Sequence, residues 1–329
     1  MTETQTGVVL IGRNEGERLI NALRSVTTQD RPVVYVDSAS TDDSCRSALE
    51  HGASVVELDM SLPFTAARAR NAGLERLRAL APGIERVMFV DGDCEVDPEW
   101  LPTAEQFLDE QEEYAVVCGR RRERHPDATV YNYLCDVEWN TPIGDTNACG
   151  GDALMRVEAF TAVNGFNPDL IAGEEPELCV RLRGSGWKIR RIDQEMTLHD
   201  AEVRRFSQWW TRMRRSGHAY AEGAAMHGGL PEGHCVKQSR RAAIWGLLLP
   251  LLAIAGSPFT SGFSLALLAL YPLNVARIAV RLRAEGEPRP CTVASFLMLA
   301  KFPEAQGWLR YQMGRLTGSR SQLIEYKSP

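Results

Sequence analysis

Two aspartates separated by one glycine, Asp91 and Asp93, follow the apolar run Val87 to Val90. Two carboxylates this close at a strand end can share one hard divalent cation, which keeps open positions for phosphate oxygens. A cation held there neutralises the charge on a departing diphosphate. Gly92 between them lets the backbone turn and a ligand approach closely. Because solvated turns often carry the same triplet, its meaning depends on the elements that position it.

A second acidic pair, Glu174 and Glu175, directly precedes Pro176. Proline favours the first turn of a helix and disfavours helical geometry in the residue before it. We therefore expect Glu175 at a helix N-cap, where the helix dipole favours the ionised carboxylate that a general base needs. The alternative is that both glutamates only favour the start of a helix.

Short apolar runs alternate with stretches of helical spacing through the first hundred residues. We predict strands at 7–11, 33–36, 54–58 and 87–90, with helices between them. This alternation indicates β-α-β units and an α/β fold with a mainly parallel sheet flanked by helices. In such sheets ligands bind beyond the carboxyl ends of the strands. The Asp91-Gly92-Asp93 triplet follows the fourth strand and therefore lies at that edge.

An ordered set of segments in this chain resembles glycosyltransferase family 2, whose catalytic domain has the GT-A fold. The resemblance covers roughly residues 7–220, and one segment alone would be weak. The segments that carry it are 8–15 (VVLIGRNE), 36–42 (VDSASTD), 69–74 (ARNAGL), 90–93 (VDGD), 150–156 (GGDALMR), 165–166 (GF) and 173–182 (GEEPELCVRL). The resemblance implies a fold, a reaction and a set of site residues.

For the donor, the resemblance implies that the ends of the first two strands flank the nucleotide base and that Arg70 lies near the phosphates. The implied donor residues are Gly12, Arg13, Asn14, Glu15, Asp37, Ser38, Arg70, Asp91 and Gly92. Many relatives carry two acidic residues where this chain has Asp37 and Ser38. Helix capping is the alternative for Asn14 and Glu15, and a surface ion pair is the alternative for Arg70.

For the reaction, the resemblance implies inverting transfer with Glu175 as the catalytic base, together with Mn²⁺ or Mg²⁺ as cofactor. The implied metal ligands are Asp91, Asp93 and His199, and the implied acceptor-binding residues are Gly150, Gly151, Asp152 and Glu174. A neutral imidazole can bind a metal, although a lone histidine is more often structural. A β-bulge or tight turn is the alternative for the glycine pair.

Composition changes after about residue 237. Residues 242–256 are nearly all apolar, and a second apolar run continues to Val280 after a short interruption that contains proline and glycine. Each run is a little short for a bilayer span of about 20 residues. A buried helical pair packed on the catalytic domain would have the same composition.

Arginines flank this apolar region at both ends, while the segment that joins the two runs carries no charge. The flanking residues are Arg240, Arg241, Arg281 and Arg283. A helical hairpin with both ends in the cytoplasm satisfies the positive-inside tendency. We therefore predict a GT-A catalytic domain over residues 1–237, and a hydrophobic helical region over 238–329 that associates with the cytoplasmic face of the cell membrane.

The predicted partners are a nucleotide-sugar donor and a saccharide or lipid-linked acceptor, as in cell-surface polysaccharide or glycolipid biosynthesis. The formal net charge of −6 argues against a nucleic-acid binder, which is usually basic. Two alternatives stay open, a non-catalytic sugar-nucleotide-binding membrane scaffold and a sugar nucleotidyltransferase. The second would have a glycine-rich, basic loop where this chain has residues 12–15. A dinucleotide-dependent dehydrogenase is excluded because no G-x-G-x-x-G follows the first strand.

Overall fold

The computed structural model describes residues 5–27, 31–318 and 324. Contacts between residues divide the chain into two compact units, Met1–Arg204 and Arg205–Pro329. This division comes earlier than the change of composition near residue 237, and the long helix Phe206–His227 belongs to the second unit. Each unit has its own packing and is described separately.

The described part of the first unit contains one mixed sheet of nine strands. The strands are β1 (Thr6–Gly12), β2 (Val33–Asp37), β3 (Ser54–Glu57), β4 (Arg86–Asp91), β5 (Cys94–Val96), β6 (Tyr114–Glu123), β7 (Gly144–Asp145), β8 (Ala153–Arg156) and β9 (Lys188–His199). Their order across the sheet is β3-β2-β1-β4-β8-β6-β9-β5, and β7 pairs with β9. The predicted α/β class with a flanked sheet is confirmed.

The four strands predicted from the apolar runs, β1 to β4, pair in parallel. The centres of β1, β2 and β4 are buried, as expected where helices cover both faces of a parallel sheet, whereas the edge strand β3 is partly exposed. The register aligns Gly12 with Asp37 and Ile11 with Asp91. The carboxyl ends of β1, β2 and β4 therefore meet at one edge, as a parallel β-α-β arrangement requires.

The other half of the sheet was less evident in the sequence, and much of it is antiparallel. Strand β8 pairs antiparallel with both β4 and β6, whereas β9 runs parallel to β6. Strand β9 is 12 residues long and runs from Lys188 to His199. Its last residues pair with β5, which aligns His199 with Cys94. The longer strand brings His199 beside the Asp91-Gly92-Asp93 turn.

Seven helices are described in the first unit, and they connect or flank the strands. They are α1 (Glu17–Thr27), α2 (Ser44–Glu50), α3 (Ala66–Leu80), α4 (Trp100–Glu110), α5 (Val130–Trp139), α6 (Val157–Ala162) and α7 (Glu174–Gly184). Helix α3 begins after Thr65, whose hydroxyl accepts the Arg68 N–H at 3.1 Å as an N-cap. A Cβ at Gly73 would lie 2.3 Å from Val9. Glycine there lets α3 pack directly on the sheet.

The described part of the second unit is helical. Its α-helices are α8 (Phe206–His227), α9 (Val236–Ala243), α10 (Leu249–Gly256), α11 (Leu270–Ala284), α12 (Pro290–Leu299) and α13 (Lys301–Thr317). Two glycines let α8 and α13 cross closely. A Cβ at Gly217 would lie 2.0 Å from the Glu304 carbonyl oxygen, and one at Gly307 would lie 1.9 Å from that of Arg214. This backbone contact explains why α8 belongs with the C-terminal helices.

Two helical segments of the second unit are long and apolar enough to cross a membrane, Val236–Phe259 with 24 residues and Phe263–Ala284 with 22. Both are longer than their apolar runs because helix continues into the polar flanks. Gly262, at a φ of 86°, lies between them. Large apolar side chains point outwards, including Phe259 at 89% exposure and Ile254 at 65%.

Candidate active site

The Asp91-Gly92-Asp93 turn lies at the carboxyl end of β4, next to the end of β1. The Gly92 N–H donates to the Ile11 carbonyl at 2.8 Å. A Cβ at Gly92 would lie 3.0 Å from that same oxygen, so a larger residue would push the turn away from β1. Glycine therefore keeps the two aspartates at the edge where the parallel strands end.

Arg70 joins this turn to the start of helix α7. Its guanidinium donates to Asp91 Oδ1 and to Glu174 Oε1, each at 2.7 Å. The residue is 3% exposed and lies 5.4 Å from the Phe166 ring centroid. Burial works against the charged form, but the two carboxylates outweigh it and raise the pKa of Arg70. The exposed surface ion pair considered for Arg70 is therefore wrong, because the side chain bridges two predicted parts of the site.

Arg121 is a second buried cation that the sequence reading missed. Its Nη2 lies 2.6 Å from Asp152 Oδ2 and 3.5 Å from Asp91 Oδ2. The pairing of β6 with β9 changes register on either side of Arg120, and such bulges re-aim side chains. The run of arginines at 120–122 was the available signal. Nothing in it distinguished a buried arginine from an exposed one.

The charge on Asp91 is stabilised by these two arginines. Burial by itself would raise the pKa of Asp91, but Arg70 and Arg121 outweigh burial and lower it. Asp91 also receives a smaller, opposing effect from the nearby carboxylate of Asp93. The carboxylate thus stays ionised well below neutral pH. An ionised pair of this kind provides oxygen ligands for a divalent cation.

Asp152 requires a correction, since it was predicted to contact the acceptor. Its side chain is fully buried. One carboxylate oxygen accepts the Asp91 N–H at 3.0 Å, and the other accepts the Thr197 hydroxyl at 2.8 Å besides pairing with Arg121. Both oxygens are engaged inside the protein, so Asp152 supports the turn and does not face a ligand.

The glycine pair before Asp152 lies against the charged groups of the site. A Cβ at Gly151 would lie 2.9 Å from Asp91 Oδ2 and 3.1 Å from Arg70 Nη2. Gly150 has a φ of 83° and open space beside it. The two glycines therefore let the backbone approach the charged groups of the site closely.

His199 lies beside Asp93, with its Nε2 3.0 Å from Asp93 Oδ2. Its ring stacks on Trp139 at 4.6 Å with an interplanar angle of 8°. Among the residues that the structure describes, its buried Nδ1 has no hydrogen-bond partner. Ligand atoms of Asp93, Cys94 and His199 all lie within 4.8 Å of one another. A carboxylate and an imidazole at this separation suit a divalent first-row metal.

Glu175 also requires a correction, because it is not the N-cap of α7. Gly173 takes that position with a left-handed φ of 78°, and the helix begins at Glu174. Glu175 is the second helical residue, and Pro176 is the third. Proline is tolerated there because the first-turn N–H groups have no partner inside the helix. The predicted proximity of Glu175 to the helix start holds, but the side chain is buried.

One oxygen of Glu175 receives two hydrogen bonds. Oε1 accepts the Cys149 N–H at 2.5 Å and the Cys179 thiol at 3.0 Å. Burial nevertheless raises the pKa of Glu175, because these donors only partly offset the lost hydration. The preceding residue, Glu174, pairs with Arg70, which also pairs with Asp91. Arg70 therefore connects the start of helix α7 with the Asp91 side of the site. A carboxyl group with a raised pKa is chemically suited to accept a proton near neutral pH.

The loops that follow β1 and β2 are joined to each other. The Asn14 side chain accepts the Thr41 N–H at 2.7 Å, and the Asn14 N–H donates to the Ser40 hydroxyl at 2.9 Å. The buried carboxylate of Asp37 accepts the Tyr35 hydroxyl at 3.0 Å and the Ser40 N–H at 2.8 Å. Helix α1 begins only at Glu17. Asn14 therefore braces the neighbouring loop and does not cap the helix.

The remaining predicted donor residues lie around the same loops. The Ser38 N–H donates to the Gly12 carbonyl at 3.1 Å, and the Arg13 guanidinium lies 5.0 Å from the Phe64 ring centroid. Glu15 pairs with Arg18 at 2.9 Å. Arg18 also pairs with Glu202. Burial by itself would lower the pKa of Arg18, but the carboxylates of Glu15, Glu202 and Asp93 outweigh burial and raise it. Arg18 and Glu202 carried no recognisable motif, and only the fold brings them to the aspartate turn.

Comparisons with known proteins agree with this geometry. The model of glycosyl transferase family 2 matches residues 8–161. The chain is similar to the solved structure of the mannosyltransferase PcManGT from Pyrobaculum calidifontis in complex with GDP-Man and Mn²⁺, with 18% identity, a TM-score of 0.61 and coverage of 93% of this chain and 87% of that one. It is also similar to residues 1–349 of S. aureus TarS, with 15% identity, a TM-score of 0.50 and coverage of 96% and 92%. No curated protein sequence matches significantly. At these identities the structural likeness establishes the fold.

Proposed function

We propose that this chain is a family 2 glycosyltransferase that transfers a sugar, with inversion, from a nucleotide-diphosphate sugar to an acceptor hydroxyl. The match of the family model to residues 8–161 and the fold shared with the similar mannosyltransferase support this proposal. The observation that carries the proposal is the bridge formed by Arg70 between Asp91 and Glu174. This bridge joins the carboxylates suited to a cation with the start of α7, where Glu175 lies. The donor phosphates and the base then belong to one site.

The residues proposed to hold the metal are Asp93 and His199, with Asp91 beside them. Their oxygen and nitrogen ligands suit Mn²⁺ or Mg²⁺, with manganese the more tolerant of the imidazole. Mn²⁺ is also the ion in the complex of the similar mannosyltransferase. When bound, the cation offsets negative charge on the leaving diphosphate. Arg70 contributes a further positive charge on the same side.

Glu175 is proposed to act as the base. Both donors, from Cys149 and Cys179, reach Oε1, so that Oε2 is the oxygen that takes the proton of the acceptor hydroxyl. As the proton leaves, the hydroxyl oxygen forms a bond to the anomeric carbon from the face opposite the diphosphate. The bond from that carbon to the diphosphate oxygen breaks in the same displacement, and the configuration inverts. One carboxylate suffices, unlike in glycoside hydrolases, which use two.

The substitution Glu175→Gln tests this proposal. It keeps the shape and the acceptor atom for the Cys149 N–H but removes the base, so transfer should fall by about 10²–10⁴-fold. Release of nucleoside diphosphate from a panel of sugar nucleotides with Mn²⁺ measures transfer, and calorimetry measures nucleotide binding. Binding should persist in the variant.

Glu195→Gln is the control, because Glu195 lies on β9 and pairs with Arg122 on the exposed surface. It should transfer sugar like the unmodified protein. Full turnover in the Glu175 variant would remove Glu175 from the mechanism. Nucleotide binding without sugar release in the unmodified protein would instead favour the scaffold alternative.

The second unit is proposed to attach the enzyme to the cytoplasmic face of the cell membrane. The exposed apolar residues of Val236–Phe259 and Phe263–Ala284, with arginines near the outer ends, support a helical hairpin in lipid. A lipid-linked or cell-surface saccharide acceptor is the substrate class that such a location favours. It also suits polysaccharide or glycolipid biosynthesis.

A single charge in the hairpin tests the attachment. Leu252→Asp places a carboxylate in an apolar segment, which costs about 2.5–3.5 kcal/mol at the centre of a membrane helix. Flotation with liposomes should show weaker association. Leu49→Asp, at an exposed leucine of the first unit, is the matched control and should float normally. Equal flotation of both variants would contradict the proposal.

A further inference from the structure

Two thiols lie against the proposed base. Cys149, in the irregular segment before β8, and Cys179, on α7, have their sulfurs 3.7 Å apart. The Cys179 sulfur lies 3.0 Å from Glu175 Oε1. All three side chains are buried, and their ligand atoms lie within 4.8 Å of one another. In the proposed mechanism the Cys179 thiol only donates a hydrogen bond to Glu175 and the Cys149 sulfur takes no part, so the pairing of the two sulfurs needs a separate explanation.

The spacing of the two sulfurs matches that of two ligands on one ion. In a tetrahedral zinc site with Zn–S bonds of about 2.3 Å, two sulfurs lie about 3.8 Å apart. A carboxylate oxygen is also an ordinary zinc ligand. Cys149, Cys179 and Glu175 would thus provide three ligands with little movement of the two sulfurs. The fourth position is left to water, as in open zinc sites.

A third thiol lies in the same neighbourhood. Cys118, on β6, interacts electrostatically with Glu175, Cys179 and Cys149. Sulfur-rich surroundings favour thiophilic ions over Mn²⁺ and Mg²⁺, which prefer oxygen. The two clusters therefore differ in their ligands, since the cluster of Asp93, Cys94 and His199 has one sulfur and the cluster beside Glu175 has two.

We propose that Cys149, Cys179 and Glu175 form a binding site for a thiophilic divalent cation such as Zn²⁺, and that its occupation inhibits sugar transfer. Binding forms two sulfur–metal bonds and one oxygen–metal bond, and the two thiol protons pass to water. The bound cation withdraws the Glu175 carboxylate from the acceptor hydroxyl. The inhibitory part rests on the proposed role of Glu175, whereas the binding part does not.

Binding is measured on the full chain with Cd²⁺, which reports thiolate ligation through an ultraviolet sulfur-to-metal charge-transfer band. The unmodified protein should show this band at one equivalent of Cd²⁺. Cys149→Ala and Cys179→Ala should each weaken binding by at least about tenfold. Cys135→Ala removes a buried cysteine of α5 outside the cluster and should bind like the unmodified protein. Cys179→Ser, which keeps nearly the same volume, covers the case in which an alanine variant fails to fold.

Activity is then measured with Mn²⁺ in excess and increasing Zn²⁺. Zinc should inhibit the unmodified protein and the Cys135 variant, a chelator should reverse the inhibition, and the Cys149 and Cys179 variants should resist it. An unchanged charge-transfer band in those two variants would overturn the proposal. Equal zinc inhibition in them would assign the effect to the Asp93, Cys94 and His199 cluster and would also overturn it. Band formation without inhibition would keep the metal site but count against Glu175 as the base.

Discussion

Two carboxylates of the candidate active site, Asp91 and Glu175, differ in exposure and in partners, since Asp91 is partly exposed and Glu175 is buried. Asp91 receives two guanidinium groups, which lower its pKa despite burial. Glu175 receives a backbone N–H and a thiol, which are neutral donors, and burial raises its pKa. Arg70 lies between the two groups but pairs with Glu174 instead of Glu175. Because Arg70 pairs with Asp91 and not with Glu175, it helps to lower the pKa of Asp91, while the pKa of Glu175 stays raised.

This difference suits the two carboxylates to the different tasks that we propose for them. A carboxylate that stays ionised suits a cation and a diphosphate, whereas a carboxylate with a raised pKa suits the acceptance of a proton. The environment of each group decides its pKa, since both begin from similar values.

Removal of Arg121 should have the largest effect. In Arg121→Met the apolar stem is kept, but Asp152 and Asp91 lose a buried counter-charge. Breaking a buried ion pair from one side costs about 3–5 kcal/mol. Chemical denaturation of the full chain should show a loss of this size in the first unit's transition. Arg122→Met is the control, since Arg122 and its partner Glu195 are 51% and 46% exposed, and it should cost less than about 1 kcal/mol.

Replacement of Asp93 should separate metal binding from folding. Asp93→Asn removes the charge beside His199 while keeping the shape, and we expect transfer to fall by about 10²–10³-fold. Unlike Glu175→Gln, this variant should also lose manganese-dependent nucleotide binding by calorimetry. Retained binding with lost transfer would mean that Asp93 acts as something other than a metal ligand.

Sugar transfer and manganese-dependent nucleotide binding should be lost at different pH values on the acidic side, because they depend on different carboxylates. Glu175 must be ionised to accept a proton, and its raised pKa means that transfer falls first as the pH decreases. Asp91, with its lowered pKa, stays ionised further into acid. The acidic limb of kcat/KM should therefore lie at higher pH than the loss of manganese-dependent nucleotide binding. If transfer and nucleotide binding were lost at the same pH, the surroundings of Glu175 and Asp91 would not shift their pKa values in different directions.

The smallest expected effect is that of Glu175→Gln on stability, which should increase although the same substitution lowers activity. A carboxyl group whose pKa is raised by folding favours the folded state at low pH and loses that contribution as pH rises through the folded pKa. At neutral pH the buried Glu175 charge thus costs stability. Glu175→Gln should stabilise the protein by about 0.5–2 kcal/mol at neutral pH. In thermal denaturation the gain should shrink as the pH falls from the raised pKa of Glu175 towards the usual range of a glutamate, and it should be absent below that range.

The parallel half of the fold and its site residues could be predicted from local pattern. Apolar runs located β1, β2 and β4, and the polar residues after them lie at one edge of the sheet, as expected. The predicted N-cap position of Glu175 was wrong, since the left-handed Gly173 is the N-cap and the helix begins at Glu174. The prediction for Asp152 did not allow for its burial by Thr197 and Arg121, which are distant in sequence.

The amino-acid sequence by itself determined the alternation of strands and helices, the acidic turn at 91–93, the glutamate pair and the apolar C-terminal segments, because each depends on neighbours along the chain. The tertiary structure alone decided which charges are paired. Arg70 and Arg121 reach carboxylates on other elements, and Glu175 meets two cysteines. Charge pairing and burial are set by contacts across the fold, and these contacts decide which carboxylate stays ionised and which one is suited to take a proton.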